Sequence, residues 1–157
     1  MRQVVTIPLV LLLIGASAPA APAASDEDRA KQLQKVRQQL EKETDLVDRA
    51  KIGIRISELL LDGVGAALKK EDFTEMEHQL TQYTETIQSA HQSLIDSGRN
   101  AVKKPDGFID LEIALRKHTR KLEDFARMLN LQQRVPLEKV KNFARSIQEK
   151  LLKALFP

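Results

Sequence analysis

This sequence predicts an all-α fold, an antiparallel bundle of about four helices with a long first helix free to protrude. Three observations predict it. Val47, Ile54, Leu61 and Leu68 recur every seven residues, with Ala50, Ser57 and Val64 between them. Phe73, Met76, Leu80, Tyr83, Ile87, Ala90 and Leu94 keep the same three-four spacing, and only the charged turn Lys69-Lys70-Glu71-Asp72 separates the two runs. Such a repeat lays one apolar stripe along each helix, and a short turn folds the stripes against each other. Finally, aromatic residues make up 4% of the chain and Trp is absent, so Leu, Ile, Val and Ala must build the core, which suits helix packing.

The chain opens with Arg2, an apolar run from Val4 to Ile14, and the small residues and prolines of Gly15 to Ala24. This is the pattern of an exported protein's signal peptide over residues 1–24, with cleavage expected within Ala20 to Ala24. The run is about half of the roughly 20 residues a membrane span needs; the competing reading is an uncleaved anchor. No Cys is present, which closes disulfide stapling and a lipoprotein anchor. The expected setting is the periplasm, or release from a bacterial cell.

Ser25 is placed to cap a helix that begins with Asp26, Glu27 and Asp28, carboxylates near the positive end of the helix dipole. Counting by sevens from Leu33 reaches Leu40, Val47, Ile54, Leu61 and Leu68 without a slip, so one helix over about Asp26 to Lys69 is plausible, roughly 66 Å long. Its first part, residues 25–44, is thin-striped, with Leu33, Val36 and Leu40 among charged residues. It reads as an extension that protrudes, bends at Thr44-Asp45 or pairs with another chain. The broader apolar face after Asp45 begins a bundle domain over residues 45–157. Glu43 reads as a solvated break in the stripe, and Ser57 as a small packing residue. Gly53, Gly63 and Gly65 either permit close helix approach or loosen the helix.

Asp72 with Glu75 is a capping-box pattern for the second helix, and Gly98 is placed to end it. Lys103-Lys104-Pro105-Asp106-Gly107 reads as a turn. A third helix follows through Phe108, Leu111, Leu115, His118, Leu122, Phe125 and Leu129. Its pattern stops near Asn130 to Val135. Pro136 then opens a fourth helix, with Leu137, Val140, Ala144, Ile147, Leu151 and Ala154 as its stripe.

Charge carries the clearest signal besides packing. Residues 25–97 hold 10 Lys+Arg and 15 Asp+Glu, a net of −5; residues 98–157 hold 14 and 7, a net of +7. The split either attracts the two halves to each other or leaves Arg116, Lys117, Arg120, Lys121 and Arg127 as a basic face toward an anionic partner such as an envelope polymer, lipid headgroups or an acidic protein. Nucleic acid is not expected for an exported chain without stacking aromatics, and contact with a membrane is expected only through the leader. A homodimer would share Leu33, Val36 and Leu40 between chains.

No catalytic site, cofactor or metal is expected. His78 and His91 fall on nearly opposite sides of one helix, and neither belongs to a metal-ligand motif. His118 occupies a stripe position, where it reads as a partly buried, hydrogen-bonded residue or a pH-responsive contact. The length, leader and helical pattern, together with Leu80-Thr81-Gln82-Tyr83-Thr84, resemble small periplasmic helical chaperones of the Spy and CpxP type, which carry a Leu-Thr-x-x-Gln motif. Thr84 stands here where Gln belongs, so no site is carried over. The expected function is that of a secreted or periplasmic helical bundle acting by protein-protein contact or as a structural envelope component. The alternative is a chaperone-like module that binds lipid or other apolar ligands.

Overall fold

The structure, a computed structural model, describes residues 26–157. The expected signal peptide and the Ser25 cap lie outside the described residues. Five helices and no strand occur among the described residues: α1 (Asp26–Lys42), α2 (Leu46–Lys69), α3 (Phe73–Asp96), α4 (Phe108–Arg127) and α5 (Val135–Leu155). The all-α expectation therefore stands, with five helices where about four were expected.

The fifth helix arises because the long first helix divides. Its heptad phase runs unbroken through Thr44, yet local side-chain chemistry ends the helix there. The Glu43 carboxylate accepts the backbone N–H groups of Thr44 and Asp45 at 2.8 and 2.9 Å. Asp45 caps α2 by accepting the N–H groups of Val47 and Asp48. The Arg49 guanidinium takes up the carbonyls of Leu40 and Glu43. Donors and acceptors orphaned by the break are thus satisfied at the corner, and the partly exposed Glu43 both interrupts the stripe and holds the corner's backbone.

Within the single chain, residues 26–44 take the expected bend at Thr44-Asp45 rather than protruding. α1 turns back along α2, so that Asp26 pairs with Lys70 at α2's far end and Arg37 donates to Gln82 on α3. Val36 is 2% exposed, and Leu33 and Leu40 pack partly buried against the core. The segment lies on the bundle instead of protruding from it.

α2 and α3 make the most extensive contact, followed by α4 with α5; α2 also meets α4 and α3 meets α5. These four helices form a square in cross-section, with α1 laid outside its α2–α3 edge. Gly53 sits on the tight α2–α3 seam, where an added Cβ would lie 3.0 Å from that of Ala90. The core runs down the middle of the square, through Leu60, Leu61, Val64, Tyr83, Ile87, Leu94, Leu111, Leu115, Leu122 and Leu137. At α5's end the stripe differs from expectation: Ala154 is exposed and Leu155 buried.

The turns follow backbone chemistry. Asp72 caps α3 through the N–H of Glu75. The reciprocal half of the expected box is replaced, because the Glu75 carboxylate accepts Gln79 and the Asp72 N–H goes to the Ala67 carbonyl. With Glu71 N–H on the Leu68 carbonyl, that bond completes a Schellman motif. Its left-handed position holds Glu71, at φ +56°, where a side chain is strained by about 1 kcal/mol or more. Glu71→Gly is therefore expected to raise unfolding free energy by about 1 kcal/mol in a urea titration; a loss would show that the Glu71 side chain contributes more than its strain costs. Gly107, at φ +79°, opens α4, and a Cβ there would meet Leu94 at 2.7 Å and Val47 at 2.9 Å. Glycine is required at this position both for its backbone angle and for the space.

Candidate functional surface

The charge split seen in the sequence is unevenly spread over the bundle. Of the −5 held by residues 26–97, α3 carries −4 and the turns at 43–45 and 70–72 carry −3, while α1 and α2 are each +1. The hairpin of α4 and α5, residues 108–157, holds 11 Lys+Arg and 6 Asp+Glu, a net of +5. Lys121–Asp62 at 2.5 Å and Arg99–Asp45 at 3.5 Å are the ion pairs that join acidic to basic half among the described residues. The other ion pairs lie within one half or the other, so the basic layer keeps most of its charge toward solvent.

The five cations singled out in the sequence are separated by this arrangement. Arg116, Lys117, Arg120 and Arg127 are exposed on α4, whereas Lys121 turns toward α2 and Asp62, with its ammonium 5.9 Å from the Phe125 ring centre. Arg116 pairs with Glu112 and Arg127 with Asp124. Lys117 and Arg120 have no ion pair among the described residues. By contrast, Leu33, Val36 and Leu40 are packed against their own chain and form no outward apolar stripe.

Exposed apolar residues complete the surface, and the sequence pattern did not single them out. All nine large hydrophobic side chains exposed among the described residues fall from Ile95 onward. Seven belong to the α4–α5 layer. Ile109, Ile113, Leu152 and Phe156 lie at its open end, and Met128, Leu131 and Val135 at its turn. Ile109, Ile113, Arg116 and Arg120 follow one another at helical spacing, so apolar and cationic side chains share one outer stripe of α4. Gln148 of α5 donates to Glu112; one turn further along the antiparallel helix, Leu152 comes level with Ile109.

The turn is held by specific bonds. Asn130 Oδ1 accepts the N–H groups of Gln132 and Gln133, and the Arg134 guanidinium donates to the Leu129 carbonyl. Leu131 is thereby presented at the apex, 77% exposed. From Phe125 to Leu137 the chain has two arginines and no carboxylate.

Two buried polar groups lie behind this surface. The Glu112 carboxylate is buried, which alone would raise its pKa, but bonds from Arg116 and Gln148 outweigh burial and hold it below the usual carboxylate range. His118 is 3% exposed; its Nδ1 meets the Tyr83 hydroxyl at 3.1 Å and its Nε2 lacks a hydrogen-bond partner among the described residues. Burial, with Lys121 and Lys117 nearby, lowers its pKa to about 4. Burial, with Lys150 nearby, also lowers His91, whereas His78 is exposed and bonded to Gln82. Ser57 is fully buried and its hydroxyl donates to the Ile54 carbonyl, a packing role.

A separate groove of about 420 Å³ runs between α3 and α5. Leu80, Pro136 and Val140 line it with Thr81 and Thr84, and Glu77, Glu85 and Lys139 rim it. No helix among the described residues is long and apolar enough to cross a membrane. Comparison of the chain with protein-family models, with curated proteins and with solved structures returns no match.

Proposed function

We propose that this protein is an exported, non-catalytic helical bundle that works by contact, and that its contact surface is the outer face of α4 and α5. One observation carries the reading: the exposed large apolar side chains and the net positive charge fall on the same layer of the bundle. Exposed apolar residues scattered singly are ordinary, but their concentration on one charged face marks an interaction surface. α1 serves the bundle itself by covering the α2–α3 edge. Export rests on the leader pattern of residues 1–24.

The second reading, a chaperone-like or apolar-ligand module, is favoured by the α3–α5 groove, whose volume falls in the range of small-molecule sites. Its lining includes Leu80 and Thr81, which resemble the start of the chaperone motif, and Thr84, at the position where that motif has Gln.

One experiment separates the two. A photo-crosslinking residue is placed at Leu131, at Val140 or at Gln38, an exposed position on α1, in the protein exported from a bacterial host. Adducts from position 131 and none from 38 are expected. Adducts confined to position 140 would favour the groove, and equal yields from all three would overturn both readings.

A further inference from the structure

We propose that the outer face of the α4–α5 hairpin docks on an anionic lipid surface, with its two apolar ends entering the headgroup boundary and the cations between them meeting lipid phosphates. This inference rests on the contact reading above and names its partner. Among the anionic partners that the sequence left open for the basic face of α4, it selects lipid headgroups.

Three features point to lipid. First, net positive charge is concentrated in the hairpin. The α4–α5 hairpin, residues 108–157, carries a net of +5. Residues 26–97 carry −5, of which α3 holds −4 and the turns at 43–45 and 70–72 hold −3, while α1 and α2 are each +1. An anionic plane therefore attracts the hairpin, the part of the bundle with the largest net positive charge.

Second, the apolar residues form two separate clusters. Ile109, Ile113, Leu152 and Phe156 stand at one end and Met128, Leu131 and Val135 at the other, with Arg116, Lys117 and Arg120 between them. α4 has 20 residues, so the clusters are roughly 30 Å apart. A bilayer offers headgroup charge and apolar depth at every point and needs no register. A folded partner would need matching pockets at that spacing on either side of an acidic strip. Third, the apex at Leu131 projects from a turn that has no carboxylate and is fixed by Asn130 and Arg134. A rigid apolar projection flanked by arginines suits shallow insertion. Glu123, Asp124 and Glu138 are each paired with a cation of the same hairpin; Asp110 and Glu149 are exposed without an ion pair among the described residues, and the net of +5 already counts them.

The chain has no Trp, so Leu131→Trp places a single fluorescent reporter at the apex of the full chain, and Gln38→Trp places one on α1. Vesicles of equal phosphatidylglycerol and phosphatidylcholine are expected to shift Leu131→Trp emission to the blue and leave Gln38→Trp unchanged. Phosphatidylcholine alone should shift neither. Adding Lys117→Glu and Arg120→Glu, both at exposed positions, should weaken the vesicle response by about tenfold or more, with the circular dichroism unchanged. An equal response to uncharged vesicles would overturn the proposal. So would vesicle binding that leaves Leu131→Trp in water, which is the result expected of attachment through the segment before Asp26. If polyglutamate shifts Leu131→Trp where vesicles do not, the contact surface stands and its lipid partner is rejected.

Discussion

Leu61→Ala is expected to lower the free energy of unfolding by about 2–5 kcal/mol, and Ile87→Ala by a similar amount. Both side chains are fully buried, Leu61 on α2 and Ile87 on α3. These two helices make the most extensive contact of the bundle, and they approach closely enough that a Cβ at Gly53 would lie 3.0 Å from that of Ala90. A seam packed this tightly relaxes poorly around the three carbons each change removes, so a cavity term adds to the lost transfer energy. Urea titration of each variant, read by circular dichroism at 222 nm, measures the loss. A cost below about 0.5 kcal/mol at both positions is the range of ordinary surface changes, and would mean that the α2–α3 hairpin is wrongly phased.

The parts of this fold that were legible in the sequence are those set by periodicity. The α2 and α3 stripes, Asp72 as a cap, Gly98 as a stop and Pro136 in the first turn of α5 each depend on a few neighbouring residues and one helical period. The break at Glu43–Asp45 was not legible as a certainty, because the heptad count passes through it unchanged. It is decided by two carboxylates and one guanidinium bonding backbone groups within a few residues, an energy that a hydrophobic repeat does not register. His118 could be placed inward from its spacing, but its partner Tyr83 lies 35 residues away and depends on how α3 faces α4. The charge split was legible; that the α4–α5 hairpin gathers a net of +5 on one side of the bundle required the square arrangement of α2 to α5. Leu131 and Val135 occupy the stretch where the pattern stops, and loss of periodicity does not say whether an apolar side chain turns in or out.

Acid is expected to weaken the fold through His118, and the sign follows from where the proton binds. The imidazole sits between α3 and α4 in edge-on contact with Tyr83, ring centres 5.6 Å apart. Burial, with two lysines nearby, holds its pKa at about 4 in the folded chain, against 6.5 for the ordinary group. Between these values the unfolded chain binds the proton and the folded chain does not, so stability rises with pH through this window. The contribution is complete above pH 6.5 and is lost progressively toward pH 4. At about 1.4 kcal/mol per pKa unit, the loss between pH 7 and pH 4.5 is about 2–3 kcal/mol. His91, also lowered by burial, acts in the same direction. Asp45 and Glu112, held below the carboxylate range by their hydrogen bonds, add losses of their own as pH falls through their folded values. The wild-type pH dependence alone therefore cannot isolate the histidine. Replacing His118 and Tyr83 together by Phe removes the titrating ring without leaving the tyrosine hydroxyl buried and unpaired. Urea titrations of this double variant at pH 7 and pH 4.5 should show a stability difference smaller than wild type by about 2 kcal/mol or more. An identical difference in the two proteins would mean that the imidazole is solvated, and that α4 does not bury it against α3.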